Sequence, residues 1–240
     1  MPKLIIRSVY WYITFILAVV PLVPKFFIAR RKQKKIPPLE FNIYANEVVR
    51  RFAVGAIRRT GASFNVEGLE NIPRDEPVVF VANHQGDFDI AAFLAFLPVP
   101  HGYIAKVEIL KVPIIRDWMK LIHCVFIDRK NIRQSAAALL EGVEILKAGQ
   151  SLVLFPEGTR SKGPIMGEFK AAAFKLATRA GVAIVPVSIS GSYLIYEENK
   201  RLIKPAEVRL CFHTPVKTDV VEEHQQLPAK VRAIIEEGIK

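Results

Sequence analysis

A histidine and a carboxylate stand at the end of an apolar run: Asn83-His84-Gln85-Gly86-Asp87-Phe88-Asp89 follows Val78-Val79-Phe80-Val81-Ala82. His84 offers a base. Asp89 offers a carboxylate that fixes the imidazole tautomer and favours the imidazolium formed when the other ring nitrogen takes a proton. In one continuous helix the two would not share a face. The pairing therefore requires His84 on a loop and Asp89 in the first turn of the helix that follows. Asp87, the rival carboxylate, stands just before an apolar stretch and suits a helix N-cap. No serine or cysteine stands beside His84 as an evident nucleophile, so the pattern points to a substrate hydroxyl activated directly by the base. General-base help of this kind is worth roughly 10²–10⁴ in rate, and the rate should rise with pH as the imidazole loses its proton.

A second string, Phe155-Pro156-Glu157-Gly158-Thr159-Arg160-Ser161, follows Leu152-Val153-Leu154. A turn at Glu157-Gly158 lets backbone N–H groups face an anion, and Arg160 adds a planar fork of donors. Arg129 closes another apolar run, Phe126-Ile127-Asp128-Arg129, and Lys170 follows Phe169 near the start of a helix, where the dipole favours negative charge. On this reading the cations of three segments converge on one phosphate. The plainer alternative makes each a solvated or surface-paired charge.

The elements that must hold these residues are strands alternating with helices. Short β-rich runs fall at 63–66, 77–82, 102–105, 123–127, 152–155, 183–188 and 208–213, and helical stretches at 88–97, 132–148, 168–180 and 228–239. The helix at 132–148 carries Ala136, Leu139, Leu140, Val143 and Leu146 as its expected seam. Alternation of this kind predicts an α/β fold with a mostly parallel sheet flanked by helices. The continuous apolar runs suit inner strands covered on both faces, and ligands of such sheets sit beyond the carboxyl ends of the strands. Both polar strings fall at such ends.

With 51% apolar residues in 240, the chain can build one sizeable core. A formal charge of +11 suits polyanionic partners such as anionic lipid headgroups or phosphorylated substrates. Nucleic acid is not expected, because no recognition motif with interleaved aromatics appears. Cys124 and Cys211 lie far apart in apolar stretches and read as reduced core thiols. HExxH, CxxC, P-loop and GxSxG strings are all missing, so no metal or cofactor is expected.

The first 35 residues read as a membrane anchor. Val9 to Val23 is almost unbroken apolar sequence led by Tyr10-Trp11-Tyr12, with Pro21 and Pro24 breaking regular helix. Phe26-Phe27-Ile28 and then Arg30, Arg31, Lys32, Lys34 and Lys35 follow. Aromatic residues and basic clusters favour the bilayer interface and anionic, cytoplasmic-side lipid. The segment is short for a simple crossing, and both a dip into the bilayer and a tilted single pass remain open. Residues 36–62 form a stiff linker and an amphipathic helix, 40–60, with Phe41, Ala45, Val48, Phe52 and Ala56 on one side. That helix either lies on lipid or packs on the core. Residues 63–240 then make the α/β domain.

These strings resemble those of the glycerolipid acyltransferases, most closely the bacterial 1-acyl-sn-glycerol-3-phosphate acyltransferases. His84 and Asp89 match the histidine–four residues–aspartate block, Phe126 to Arg129 the second block, Phe155 to Ser161 with Phe169-Lys170 the third, and Val185-Pro186-Val187 the fourth. The resemblance implies that His84 is the base on the acceptor hydroxyl and that Asp89 orients it. It implies an acceptor-phosphate site at Arg129, Glu157, Gly158, Arg160 and Lys170, and an acyl or acceptor pocket shaped by Val185, Pro186 and Val187. The implied partners are the phospholipid bilayer, lysophosphatidic acid and an acyl thioester of coenzyme A or acyl carrier protein. The implied place is the cytoplasmic face of the cell membrane. Three positions depart from the family pattern. Gly86 stands where many members carry serine, His123 where a glycine usually precedes the second block, and Ala171-Ala172-Ala173 where a basic residue or glycine often follows Phe-Lys.

Overall fold

A computed structural model gives the fold and describes residues 2–219 and 224–239. Seven strands form one sheet in the order β1-β7-β6-β2-β5-β3-β4. They are β1 (Ser63–Glu67), β2 (Val79–Ala82), β3 (His101–Lys106), β4 (Val125–Ile127), β5 (Ser151–Leu154), β6 (Ile184–Ser190) and β7 (Glu207–Phe212). Every pairing is parallel except β6 with β7. Each strand lies within two or three residues of its expected run.

Two apolar layers cover the sheet. Alternate residues of β2 serve them both: Phe80 and Ala82 face one, Val79 and Val81 the other. The first layer is built with α3 (Pro38–Thr60), α4 (Phe88–Phe96) and α5 (Ile115–Leu121); the second with α6 (Ile132–Lys147), α7 (Ala171–Ala180) and α8 (Leu227–Ile239). All four residues of β2 and all four of β5 are buried. Double coverage is why both read as unbroken apolar runs.

Some expectations shift. The helix expected from 168 starts at Ala171, because Lys170 is extended and the Gly167 N–H is held in the loop by Glu157. The strand expected from 123 starts at Val125, because His123 takes a left-handed φ of 58°. Glycine accepts that backbone region most readily, so a side chain at 123 is accommodated at some conformational cost. The short α5 had no sequence signal. The seam of α6 is Ala138, Gly142, Val143 and Leu146, whereas Ala136 and Leu140 of the expected seam are exposed. The buried side of α3 runs through Phe41, Ala45, Val49, Ala53, Ala56 and Ile57, and Val48 and Phe52 are only half-buried. That seam packs on the core, while Leu39, Ile43 and Val54 of the same helix remain exposed. Cys124 is buried and free, and burial pushes its thiol up to about 12. Cys211 is free and half-buried.

The first segment is two helices, α1 (Pro2–Val19) and α2 (Leu22–Gln33). They break at Pro21, while Pro24 sits in the first turn of α2, where a missing N–H costs nothing. Pro2–Gln33 is long and apolar enough to cross a membrane, and only 11% of its most apolar stretch is buried. One side of α1 is nevertheless seated on the body. Trp11 Nε1 donates to the Ala56 carbonyl at 2.9 Å, Arg7 Nη1 to Thr60 at 3.0 Å, and the Ile203 N–H to Ser8 Oγ at 2.8 Å. The other side presents Ile5, Ile6, Val9, Ile13, Ile16 and Leu17 to the surroundings.

His101 opens β3 and is 2% exposed. Its Nδ1 donates to the Val99 carbonyl at 2.8 Å and its Nε2 faces the Tyr103 hydroxyl at 3.1 Å. Burial disfavours the charged ring and holds its pKa down to about 4. The unfolded chain therefore binds this proton first as pH falls. The stability contribution of neutral His101 is present above the imidazole range and is lost on acidification from about 6.5 toward about 4. We expect about 3 kcal/mol of acid destabilisation from this residue. In urea titrations at pH 7 and pH 4.5, His101→Gln should narrow the difference in stability between the two pH values. An unchanged difference would exclude His101 as its source.

Candidate active site

Strands β2 and β5 are parallel neighbours, so the loops at their carboxyl ends meet. The main chain joins them: Ser161 N–H donates to the His84 carbonyl at 2.8 Å and Lys162 N–H to Gln85 at 3.1 Å. The His84 ring stacks on Phe155, centroids 4.1 Å apart. On the other side, Asn83 is buried and exchanges two bonds with Ile189 of β6, each 2.8 Å. The His84 loop is thus fixed to both flanking strands.

His84 stands on the loop and Asp89 is the second residue of α4, as the spacing required. Nδ1 lies 2.7 Å from Asp89 Oδ2. The same oxygen accepts from the N–H groups of Gln85 at 2.7 Å and Gly86 at 2.9 Å. Asp89 is fully buried and the His84 side chain is 15% exposed. Asp89 thus accepts all three of these bonds through Oδ2, from the first turn of α4. It takes the Nδ1 proton, which leaves the lone pair on Nε2 at the accessible edge of the ring.

Glu157 is buried and forms no ion pair among the described residues. Oε1 accepts the His84 N–H at 2.7 Å and Oε2 the Gly167 N–H at 2.7 Å. Desolvation raises its pKa, opposed by those two bonds. It ties three stretches of loop together. Gly158, next to it, has φ 73°, and a Cβ there would stand 3.2 Å from Lys170 Nζ and 3.3 Å from Arg129 Nη1. The two cations flank the turn from opposite segments. Both are exposed, and neither forms an ion pair among the described residues. The Gly158 and Ser161 N–H groups are already used, by Phe155 and His84. An anion here would therefore be met chiefly by side-chain cations.

Arg160 does not join that pair. Its Nη1 binds Asp87 Oδ1 and lies 3.2 Å from Glu197 Oε1. Asp87 occupies the N-cap position of α4 without a side-chain cap bond; its carboxylate is committed to Arg160 instead. Val185, Pro186 and Val187 are buried in β6, in register with β2 through Phe80–Val185, Val81–Pro186 and Ala82–Val187. Val185 and Val187 belong to the layer with Phe80, Phe93 and Phe212. The strand is central and covered on both faces, and these side chains are buried in it. Phe93 and Leu97 are likewise core. Two hollows lie on the α8 side, one lined by Val216 and Ile234 and the other by Phe169 and Arg232, and His84 lines neither.

Comparison with known proteins gives a consistent picture. Residues 63–190, over half the chain, match the profile described as Acyltransferase. The chain is 42% identical over 168 residues to the probable 1-acyl-sn-glycerol-3-phosphate acyltransferase of Mycoplasma pneumoniae, covering 65% of this chain and 62% of that one. It is 38% identical over 162 residues to a chloroplastic 1-acyl-sn-glycerol-3-phosphate acyltransferase of Arabidopsis thaliana, covering 65% and 45%. The chain thus spans about half to two thirds of the length of these curated relatives. The crystal structure of the 1-acyl-sn-glycerophosphate (LPA) acyltransferase from Thermotoga maritima superposes with a TM-score of 0.86 at 28% identity, over 99% of this chain and 95% of that one.

Proposed function

The chain belongs to the acyltransferase family, and from that premise we propose that it acylates the sn-2 hydroxyl of 1-acyl-sn-glycerol-3-phosphate to give phosphatidic acid. The observation that carries this reading is the placement of the His84–Asp89 pair against two cations that form no ion pair among the described residues. Glu157 binds the His84 N–H at 2.7 Å, and Gly158, next in sequence, is flanked by Arg129 and Lys170. A phosphate monoester held by the cations leaves the acceptor hydroxyl free to approach Nε2. His84 takes the hydroxyl proton, the oxygen attacks the carbonyl of an acyl thioester, the C–S bond breaks, and the imidazolium returns the proton to the leaving thiolate. Asp89 stabilises the transient imidazolium. The donor is a thioester of coenzyme A or of acyl carrier protein. No protein nucleophile enters.

The same proposal puts the protein on a bilayer. The exposed side of α1 supplies the apolar contact, and the exposed cations Arg30, Arg31, Lys32, Lys34 and Lys35 supply attraction to anionic lipid. The seating of α1 through Ser8 and Trp11 favours a helix lying in the membrane surface over one that crosses it. The basic cluster suits the cytoplasmic face of the cell membrane.

The test is acyl transfer by the purified protein in mixed micelles, with lysophosphatidic acid and monoacylglycerol as rival acceptors and each thioester in turn. Lysophosphatidic acid should be strongly preferred. Arg129→Ala should raise its KM roughly tenfold or more, by the ~1.5–3 kcal/mol of a charge-assisted hydrogen bond, with less effect on kcat. An equal loss on monoacylglycerol would remove the phosphate role.

A further inference from the structure

Glu197 follows the 3₁₀ segment Ser192–Ile195 in a polar run, Tyr196-Glu197-Glu198-Asn199-Lys200, that carries no motif. Its side chain is nevertheless 5% exposed. Oε1 accepts the Asp87 N–H at 2.8 Å and lies 3.2 Å from Arg160 Nη1. Oε2 is buried with no hydrogen-bond partner. A Cβ on Gly86 would come within 2.5 Å of that oxygen. The carboxylate therefore occupies the space a side chain at 86 would fill, on the stretch between His84 and Asp89.

We propose that Glu197 is a positioning residue for the His84–Asp89 pair, acting as a clamp that fixes the His84 loop to the Arg160 turn. The inference rests on the acyl-transfer reading for its kinetic arm only. The Asp87 N–H precedes the first turn of α4, which carries Asp89, so its bond to Glu197 sets where that turn begins. Arg160 belongs to the loop whose Ser161 N–H holds the His84 carbonyl. One buried carboxylate thus grips both sides of the pair without touching the His84 ring. Burying it is costly: desolvation raises its pKa, and Asp87 adds repulsion that Arg160 opposes. A group so placed keeps its position when the loop depends on it. The absence of a side chain at Gly86 is the counterpart of this clamp, and substitution there should act through Glu197.

Two readouts test the clamp. The first needs no substrate. The proton between His84 Nδ1 and Asp89 should give a low-field resonance, assigned by its disappearance in His84→Ala. Glu197→Ala and Gly86→Ala should each weaken or shift that resonance, from opposite sides of the same contact, and Glu197→Gln should largely restore it by keeping an acceptor for the Asp87 N–H. The second is kinetic. Glu197→Ala should lower kcat roughly tenfold or more, the kind of loss that misplacement of a catalytic group produces, at near-normal thermal stability. The double variant Gly86→Ala/Glu197→Ala should be no slower than Glu197→Ala alone, because removing the carboxylate makes room for the methyl group. A wild-type resonance in all the variants would overturn the clamp, as would losses that simply multiply. The expected resonance changes in the variants, with no turnover of lysophosphatidic acid by the wild type, would keep the clamp and remove the acyl-transfer reading.

Discussion

His84→Ala is expected to lower kcat by about 10²–10⁴, the share that a positioned general base supplies. The variant should fold. The bonds that place residue 84 are main-chain ones, N–H to Glu157 and C=O from Ser161, and alanine keeps both. The stack on Phe155 is lost, but the ring lies at an edge of the core and its removal opens space toward solvent. The KM for lysophosphatidic acid should change little, because Arg129 and Lys170 are untouched. Initial rates over a range of acceptor, alongside thermal melting, make the comparison. A folded variant within about tenfold of wild type would remove His84 from the base role.

Asp89→Asn should come second, with kcat falling by roughly 10²–10⁴, as expected for the loss of a carboxylate that orients a catalytic imidazole. Oδ2 takes the His84 Nδ1 proton together with two main-chain N–H groups. An asparagine oxygen can still accept those bonds, but it no longer carries the charge that stabilises the imidazolium. If the amide turns its nitrogen toward the ring, His84 must present its other tautomer and Nε2 loses its lone pair. Asp89→Ala is the poorer probe. It leaves two buried N–H groups unsatisfied at about 1–3 kcal/mol each, so slow turnover would be confounded with loss of fold. For the asparagine variant, a kcat near wild type at an unchanged melting temperature would sink the orienting role.

Much of this arrangement was legible in the residues. The inner strands were readable because β2 and β5 are covered on both faces and must be apolar throughout. Local spacing also carried the geometry of His84 and Asp89, because a loop residue and a first-turn residue sit close along the chain. Contacts between distant segments were not readable in the same way. Asp87 was expected to cap α4, yet it pairs with an arginine from another strand end. Glu157 was expected to help form a phosphate site, but its hold on the main chain of two other loop stretches had no signal in the residues. Val185 and Val187 were expected at a pocket wall, yet their strand is central and their side chains are core. Glu197 had no signal at all: it reaches Asp87 across 110 residues from a run that looks solvated. Where a side chain is spent depends on which loops the sheet order brings together. The order β6-β2-β5 is a property of the whole chain.

The joint between α1 and the body bears on how concentration is to be counted. Trp11, Ser8 and Arg7 bind α1 to Ala56, Ile203 and Thr60, and Trp11 packs edge-on to Phe88 at the start of α4. Helix α1 and the helix that follows the His84 loop are therefore packed into one frame. Under the proposed function, with α1 lying in a lipid surface, His84 would be carried at a fixed height above that plane and the lipid acceptor would reach it by lateral diffusion. The variable that sets the rate is then the mole fraction of acceptor in the surface. Adding inert lipid at constant total acceptor would dilute the substrate as surely as adding water does for a soluble enzyme.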